Sequence, residues 1–244
     1  MADYNTYRTT QSIGTRQAAV DEGLRAYMNK VYGLMAVGMG VTAVAAYGIS
    51  TLAVNNPAVA QALYASPLKW VIMFAPLLVV FAFGAAINRL SVSAATMVFY
   101  GFAALMGLSI SSIFLVYTGT SIVQTFLVTA IAFAGLSLWG YTTKKDLSGW
   151  GTFLIMGVIG LIVASIVNIF LQSSAMQFAI SVLGVLIFAG LTAFDTQRIK
   201  NTYLQMAGSG SDFLGKSAIM GALSLYLNFL NLFMFLLQFM GNRE

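Results

Sequence analysis

The 244-residue chain has no cysteine and no histidine. Without cysteine there is no disulfide, thiolate zinc site, iron–sulfur cluster or thiol nucleophile. Without histidine there is no imidazole base, no histidine-ligated metal or haem, and no imidazole pH switch. Charge is scarce too: twelve Lys and Arg with seven Asp and Glu make up 8% of the residues, against roughly 25% in an ordinary soluble domain. So few charges cannot solvate a 26.1 kDa globule. With 59% hydrophobic residues and a mean hydropathy of +0.85, the chain reads as an integral membrane protein. Any proton sensing must rest on the seven carboxylates. The net charge of +5 does not signal nucleic acid as a partner, because the basic residues are scattered among loops without a patch or an aromatic-interleaved run.

What the chain does have is long apolar runs. A spanning helix needs about 20 mostly apolar residues, and seven stretches qualify: 31–51, 68–87, 93–117, 121–141, 151–171, 176–199 and 217–240. Short connections predict antiparallel neighbours in one all-α bundle, a single seven-helix membrane domain over residues 29–244. Residues 1–28 mix Arg8, Arg16 and Arg25 with Asp3, Asp21 and Glu22. That is too polar for a secretory signal and too acidic for a transit peptide, so a polar, partly disordered cytoplasmic tail is expected.

Lys and Arg collect on the cytoplasmic side of a membrane. The tail and alternate loops carry Arg8, Arg16, Arg25, Lys30, Arg89, Lys144, Lys145, Arg198, Lys200 and Lys216, and the opposite side only Lys69 and Arg243. The bias places the N-terminus in the cytoplasm and, with seven spans, the C-terminus outside.

Polar residues within apolar spans point to the bundle interior. In the last span Ser217, Gly221, Ser224, Asn228, Asn231 and Gln238 recur in steps of four and three, with Phe235 in the one gap. This seam predicts a seventh helix enclosed by the other six, and fits either a conduit or close packing with interhelical hydrogen bonds. Shorter sets, Ser165, Asn168 and Gln172 in the fifth span and Gly107, Ser109, Ser111 and Ser112 in the third, read as packing features. Asp195 is the acid nearest a membrane interior. It has a bland partner in Arg198 at i+3 and a second candidate in Arg89, which ends the second span. An intramembrane carboxylate is costly unless paired, hydrated or used.

In Gly107-Leu-Ser-Ile-Ser-Ser-Ile-Phe-Leu-Val-Tyr117, Gly140-Tyr-Thr-Thr-Lys-Lys-Asp-Leu-Ser148, Phe194-Asp-Thr-Gln-Arg198 and Ser224-Leu-Tyr-Leu-Asn-Phe229, taken in order, the chain resembles the Bax inhibitor family, as a bacterial member. The resemblance implies a seven-helix fold with the last helix in the middle, and a pH-sensitive calcium leak. It implies a sensor of two aspartates, one late in the sixth span and one in the seventh, latched by an arginine ending the second. These positions fall on Asp195, Asn228 and Arg89. The second is not an acid, and residues 74–86, where some relatives carry a glutamate, hold none. Two adjacent carboxylates repel and titrate as a coupled unit; an aspartate facing an asparagine lacks that repulsion. A persistent Asp195–Arg89 pair follows, with a leak that is tighter or responds to pH only at more acidic values. Contact between Asp195 and Asn228 requires the seventh helix to start late or the sixth to run past the membrane.

The leading expectation is therefore a calcium-permeable cation leak of the bacterial inner (plasma) membrane, with no cofactor beyond calcium as the permeating ion. Asp195, Asn228, Asn231 and backbone carbonyls would be weak oxygen contacts for it, and Ser224, Asn231 and Gly221 would line the seam. The alternative is a non-conducting regulator of another membrane protein, such as a membrane protease, with the polar tail as the contact. A proton-coupled transporter is disfavoured, since no inverted repeat is visible and the span interruptions are few, Pro76 among them. An enzyme is disfavoured by the missing histidine and the lack of a convergent acid pair. Membrane lipid is the remaining expected partner.

Overall fold

The computed structural model describes the backbone of residues 3–242 and the side chains of residues 18–242. It is helical, with no strand among the described residues. Seven helices are long and apolar enough to cross a membrane, and large apolar side chains such as Leu78, Phe81, Ile131, Phe153 and Phe170 lie exposed on their outer faces. In water such a surface would aggregate; in a bilayer it is solvated by lipid. The chain is an integral membrane protein.

α1 runs Asp3–Asn55, so the stretch expected to be a tail is helical from Asp3. Leu24, Tyr27, Met28, Val31 and Met35 are buried at helical spacing, which puts the last turns before the first apolar run into the packed core. Asn56 then caps the short α2 (Pro57–Ala60) by accepting from Ala58 N, and a π-helical turn, Gln61–Ala65, leads to α3 (Leu68–Ala86). A 3-10 turn, Ile87–Arg89, ends that hairpin arm. α4 (Val92–Ile110) starts under the Ser91 cap and breaks at Ser111 and Ser112 before α5 (Ile113–Val116). The third-span serines thus mark an interruption: Ser111 Oγ donates to Leu108 O at 2.7 Å and pairs with Tyr64 OH at 2.9 Å.

α6 (Gly119–Thr142) and α7 (Trp150–Leu171) follow, capped by Thr118 and Gly149. Gln172 ends α7 with φ 48°, a left-handed residue that turns the chain directly into α8 (Ser174–Met206). α9 (Ser211–Met240) completes the bundle. α8 has 33 residues, about 50 Å at 1.5 Å per residue, against a hydrocarbon core of about 30 Å. It overshoots its apolar run by seven residues, ending at Met206 where the run ended at 199. Asp195 meets Asn228 with α8 continuing past its apolar run, and α9 does not start late but at Ser211, ahead of its run at 217.

α9 is the most buried span: 67% of its most apolar window is inside the protein, against 11% for α3 and α7. Its principal neighbours are α8, α1, α6 and α4, with α3 and α7 at the periphery. Four spans rather than six supply its main packing. Tyr226 at its middle is fully buried. Its hydroxyl meets Thr42 Oγ1 at 2.7 Å, and Thr42 reaches Ala103 O at 2.9 Å, which ties α1, α4 and α9 at one level. Phe99 and Phe102 stand edge-on to the Tyr226 ring.

Candidate functional site

The polar seam of α9 faces α8 and α1. Ser217 meets Tyr27 OH at 2.9 Å. A side chain on Gly221 would touch Ile199, so the glycine permits close approach of α8. Ser224 accepts from Arg198 Nη2 at 3.3 Å, and Asn228 donates to Asp195 Oδ2 at 2.7 Å. Asn231 is turned back on its own helix, donating to Leu227 O at 2.8 Å. Phe235 stacks on Phe188 and fills the space left by Gly184. Gln238 accepts from Gln177 Nε2 at 2.9 Å. One stripe of α9 therefore packs closely on α8 at Gly221, Ser224, Asn228, Phe235 and Gln238, with Ser217 on α1 and Asn231 on its own helix.

Asp195 of α8 meets the middle of this stripe at Asn228. Its side chain is 9% exposed, and its two oxygens have separate partners: Oδ2 takes the Asn228 amide, and Oδ1 takes Arg198 Nη2 at 2.8 Å. Arg198 is half-exposed and also sits 5.7 Å from the Phe194 ring. Its guanidinium borders a cavity of about 160 Å³ with Tyr27, Thr202, Gly221 and Ser224. One cation thus stands between a buried carboxylate and a small cavity.

The expected Asp195–Arg89 pair is not made. Arg89 is exposed at the end of the 3-10 turn and forms no ion pair among the described residues. α3, which carries that turn, packs chiefly on α4. Arg198, one turn along the same helix as Asp195, loses less freedom in reaching it. Asp195 is one buried carboxylate already satisfied by an amide and a guanidinium. No group of three or more His, Cys, Asp or Glu is placed to hold a metal among the described residues.

Beyond Asp195 the α8–α9 interface turns apolar. Leu191, Phe188 and Leu232 are buried there with Phe235 against them. At the far end Asn168, Gln177, Ser181 and Gln238 form a second polar cluster, with Asn168 Nδ2 donating to Gln177 Oε1 at 3.2 Å. Two polar clusters are separated by an aromatic and aliphatic plug.

Gln197, in the sequence only a member of the Phe194–Arg198 motif, has a specific task in the structure. Its Oε1 accepts from Leu147 N and its Nε2 donates to Lys145 O, both at 2.8 Å. Loop 143–149 is thereby strapped to α8 two residues after Asp195, with Leu147 buried beneath it. Lys200 adds a bond from Nζ to Tyr141 O at 2.7 Å. The sequence signal was a further polar residue beside an intramembrane acid, but backbone partners leave no trace in side-chain patterns. Thr196 completes the set by meeting Ser137 at 2.9 Å, and Ser137 meets Tyr32 OH at 2.6 Å.

Seven spans with one acid sealed between the last two define a polytopic α-helical membrane protein whose polar chemistry lies inside the bundle. The family described as "Inhibitor of apoptosis-promoting Bax1" matches residues 24–244, and the chain belongs to this Bax inhibitor family. A protein of Caulobacter vibrioides is 48% identical over 255 residues, covering 100% of both chains. A protein of Rickettsia prowazekii is 43% identical over the full length of both. The Escherichia coli inner membrane protein YbhL is 46% identical over 223 residues, 91% of this chain and 94% of its own.

Proposed function

We propose that the chain is a passive cation leak of the bacterial inner membrane, calcium being the main permeating ion, and that the Asp195 cluster holds it shut. The carrying observation is the carboxylate buried between α8 and α9 with Arg198 on one oxygen and Asn228 on the other. Loss of the Asp195 charge removes the attraction for Arg198, which is already half in solvent. A cation entering the seam exchanges for the same guanidinium. The plug of Phe188, Leu191, Leu232 and Phe235 acts as a constriction that stays dry while the helices are closed. Arg198, rather than Arg89, is the latch in this conformation.

Asn228 stands where a second carboxylate would repel the first, so the closed state persists through the neutral range and yields only to stronger acid. The membrane assignment rests on the name of the E. coli relative, and the N-in, C-out orientation on the ten-to-two bias of basic residues. Calcium flux through the purified protein in liposomes tests the reading. Arg198→Gln should raise flux at neutral pH. Flux at the level of empty liposomes for both the wild type and this variant would overturn it.

A second reading, a non-conducting regulator of another membrane protein, is favoured by the mutual satisfaction of Asp195, Arg198 and Asn228. Partner capture that is lost on deleting residues 1–17, together with no flux, supports this class. Deletion to residue 28 would be ambiguous, because Leu24, Tyr27 and Met28 belong to the core.

A further inference from the structure

α8 and α9 lie against both α1 and α6, while α1 packs foremost on α4. Between α1 and α6 is a cleft of about 460 Å³, walled by Met28, Tyr32, Phe133 and Leu138, with Arg25 and Tyr141 at one end. This volume lies within the roughly 300–1,000 Å³ of clefts that hold organic ligands. The two helices run antiparallel, so the start of α1 and the end of α6 share one end of the bundle. Arg25 is exposed there. Lys200 reaches the same end, its ammonium 5.4 Å from the Tyr141 ring centre and bonded to Tyr141 O. Neither Arg25 nor Lys200 is in an ion pair among the described residues.

An apolar cleft in the membrane-spanning part, with two uncompensated cations where the span ends, matches one kind of molecule. We propose that the cleft binds an anionic phospholipid, its phosphate taken by Arg25 and Lys200 and an acyl chain lying on the apolar walls. Charge complementarity selects this occupant over a zwitterionic lipid, since each cation near an anionic headgroup contributes to its retention. Tyr32 and Ser137 line the cleft, and behind them Ser137 meets Thr196, the neighbour of Asp195 in the chain. The proposal does not depend on ion conduction.

Native mass spectrometry of the detergent-purified full chain, with phosphatidylglycerol or phosphatidylcholine of identical acyl chains, tests it. One phosphatidylglycerol should be retained per chain in preference to phosphatidylcholine. Arg25→Gln should weaken retention about five-fold. Ala134→Trp, at an exposed wall position, should fill the cleft and abolish it. Lys144→Gln, on the exposed loop, should change nothing. Equal retention of the two lipids, or equal loss with Lys144→Gln, indicates a nonspecific lipid shell and overturns the proposal. So does retention unmoved by Arg25→Gln, which decides the matter if the tryptophan variant does not fold.

Discussion

The side-chain amide of Asn228 donates to Oδ2 of Asp195 at 2.7 Å, joining α9, the most buried span of the bundle, to α8. Both residues are buried, and the bond leaves the other carboxylate oxygen to Arg198. A charge-assisted hydrogen bond in such a place is costly to leave half made.

Replacing Asn228 by leucine keeps the side-chain size but removes the donor. Asn228→Leu should destabilise the protein by about 2 kcal/mol, read as a lowered midpoint of thermal unfolding in detergent. Asn231→Leu is the contrast. That amide serves only Leu227 O on its own helix, so the change should cost well under about 1 kcal/mol. Equal effects at the two positions would remove the special status of the Asp195 contact.

The Gln197 strap should govern the accessibility of loop 143–149. Gln197→Leu removes two hydrogen bonds at 2.8 Å, together worth about 2 kcal/mol, or roughly thirty-fold in the open population of the loop. Trypsin cleavage after Lys144 or Lys145 should accelerate accordingly. An unchanged rate would mean that the loop is held by buried Leu147 alone.

Helix packing beside the site depends on Gly140. A Cβ there would run into the backbone of Ala193, two residues before Asp195. Gly140→Ala should cost about 1–3 kcal/mol by forcing α6 from α8. Gly135→Ala on the same helix meets nothing within 4 Å and should be neutral or stabilising by up to about 1 kcal/mol through helix propensity. Unfolding midpoints of the two variants should therefore move in different directions or by different amounts.

In the loop, Ser148 holds the Asp146 carboxyl below the usual range, through its hydroxyl and through its N–H at 2.9 Å from Oδ1. A depressed folded-state value means that the interaction is present above the unfolded value and is lost as pH falls through the folded one. Ser148→Ala should raise the Asp146 titration toward an ordinary aspartate, followed by carboxyl-carbon NMR. An unmoved titration would exclude the serine hydroxyl as the main cause.

The spans were legible because a bilayer demands about 20 apolar residues and the chain supplies them in uninterrupted runs. Helix ends were less so. Beyond the hydrocarbon a helix tolerates polar residues, so the stretch from Lys200 to Met206 reads as loop although it continues α8. α1 is similar, yet Leu24, Tyr27, Met28, Val31 and Met35 carry a helical period that extends its buried face past the apolar run. The α9 seam was legible from its three-and-four spacing, and Asp195–Arg198 from its i,i+3 offset. Which neighbour each would meet was not, since periodicity describes a face and not what lies opposite. Arg89 shows that limit: its rank at the end of a span was readable, but α3 packing on α4 and not on α8 was hidden.

In the proposed function Asp195, facing an amide instead of a second acid, keeps the α8–α9 seam shut near neutral pH. Calcium flux into liposomes, measured across pH for the wild type and Asn228→Asp side by side, tests it most directly. Wild-type flux should be low and nearly flat through the neutral range. Asn228→Asp should introduce a pH transition there, because two facing carboxylates repel and titrate together. A wild type that already shows a steep transition near neutrality, left in place by the substitution, would contradict it.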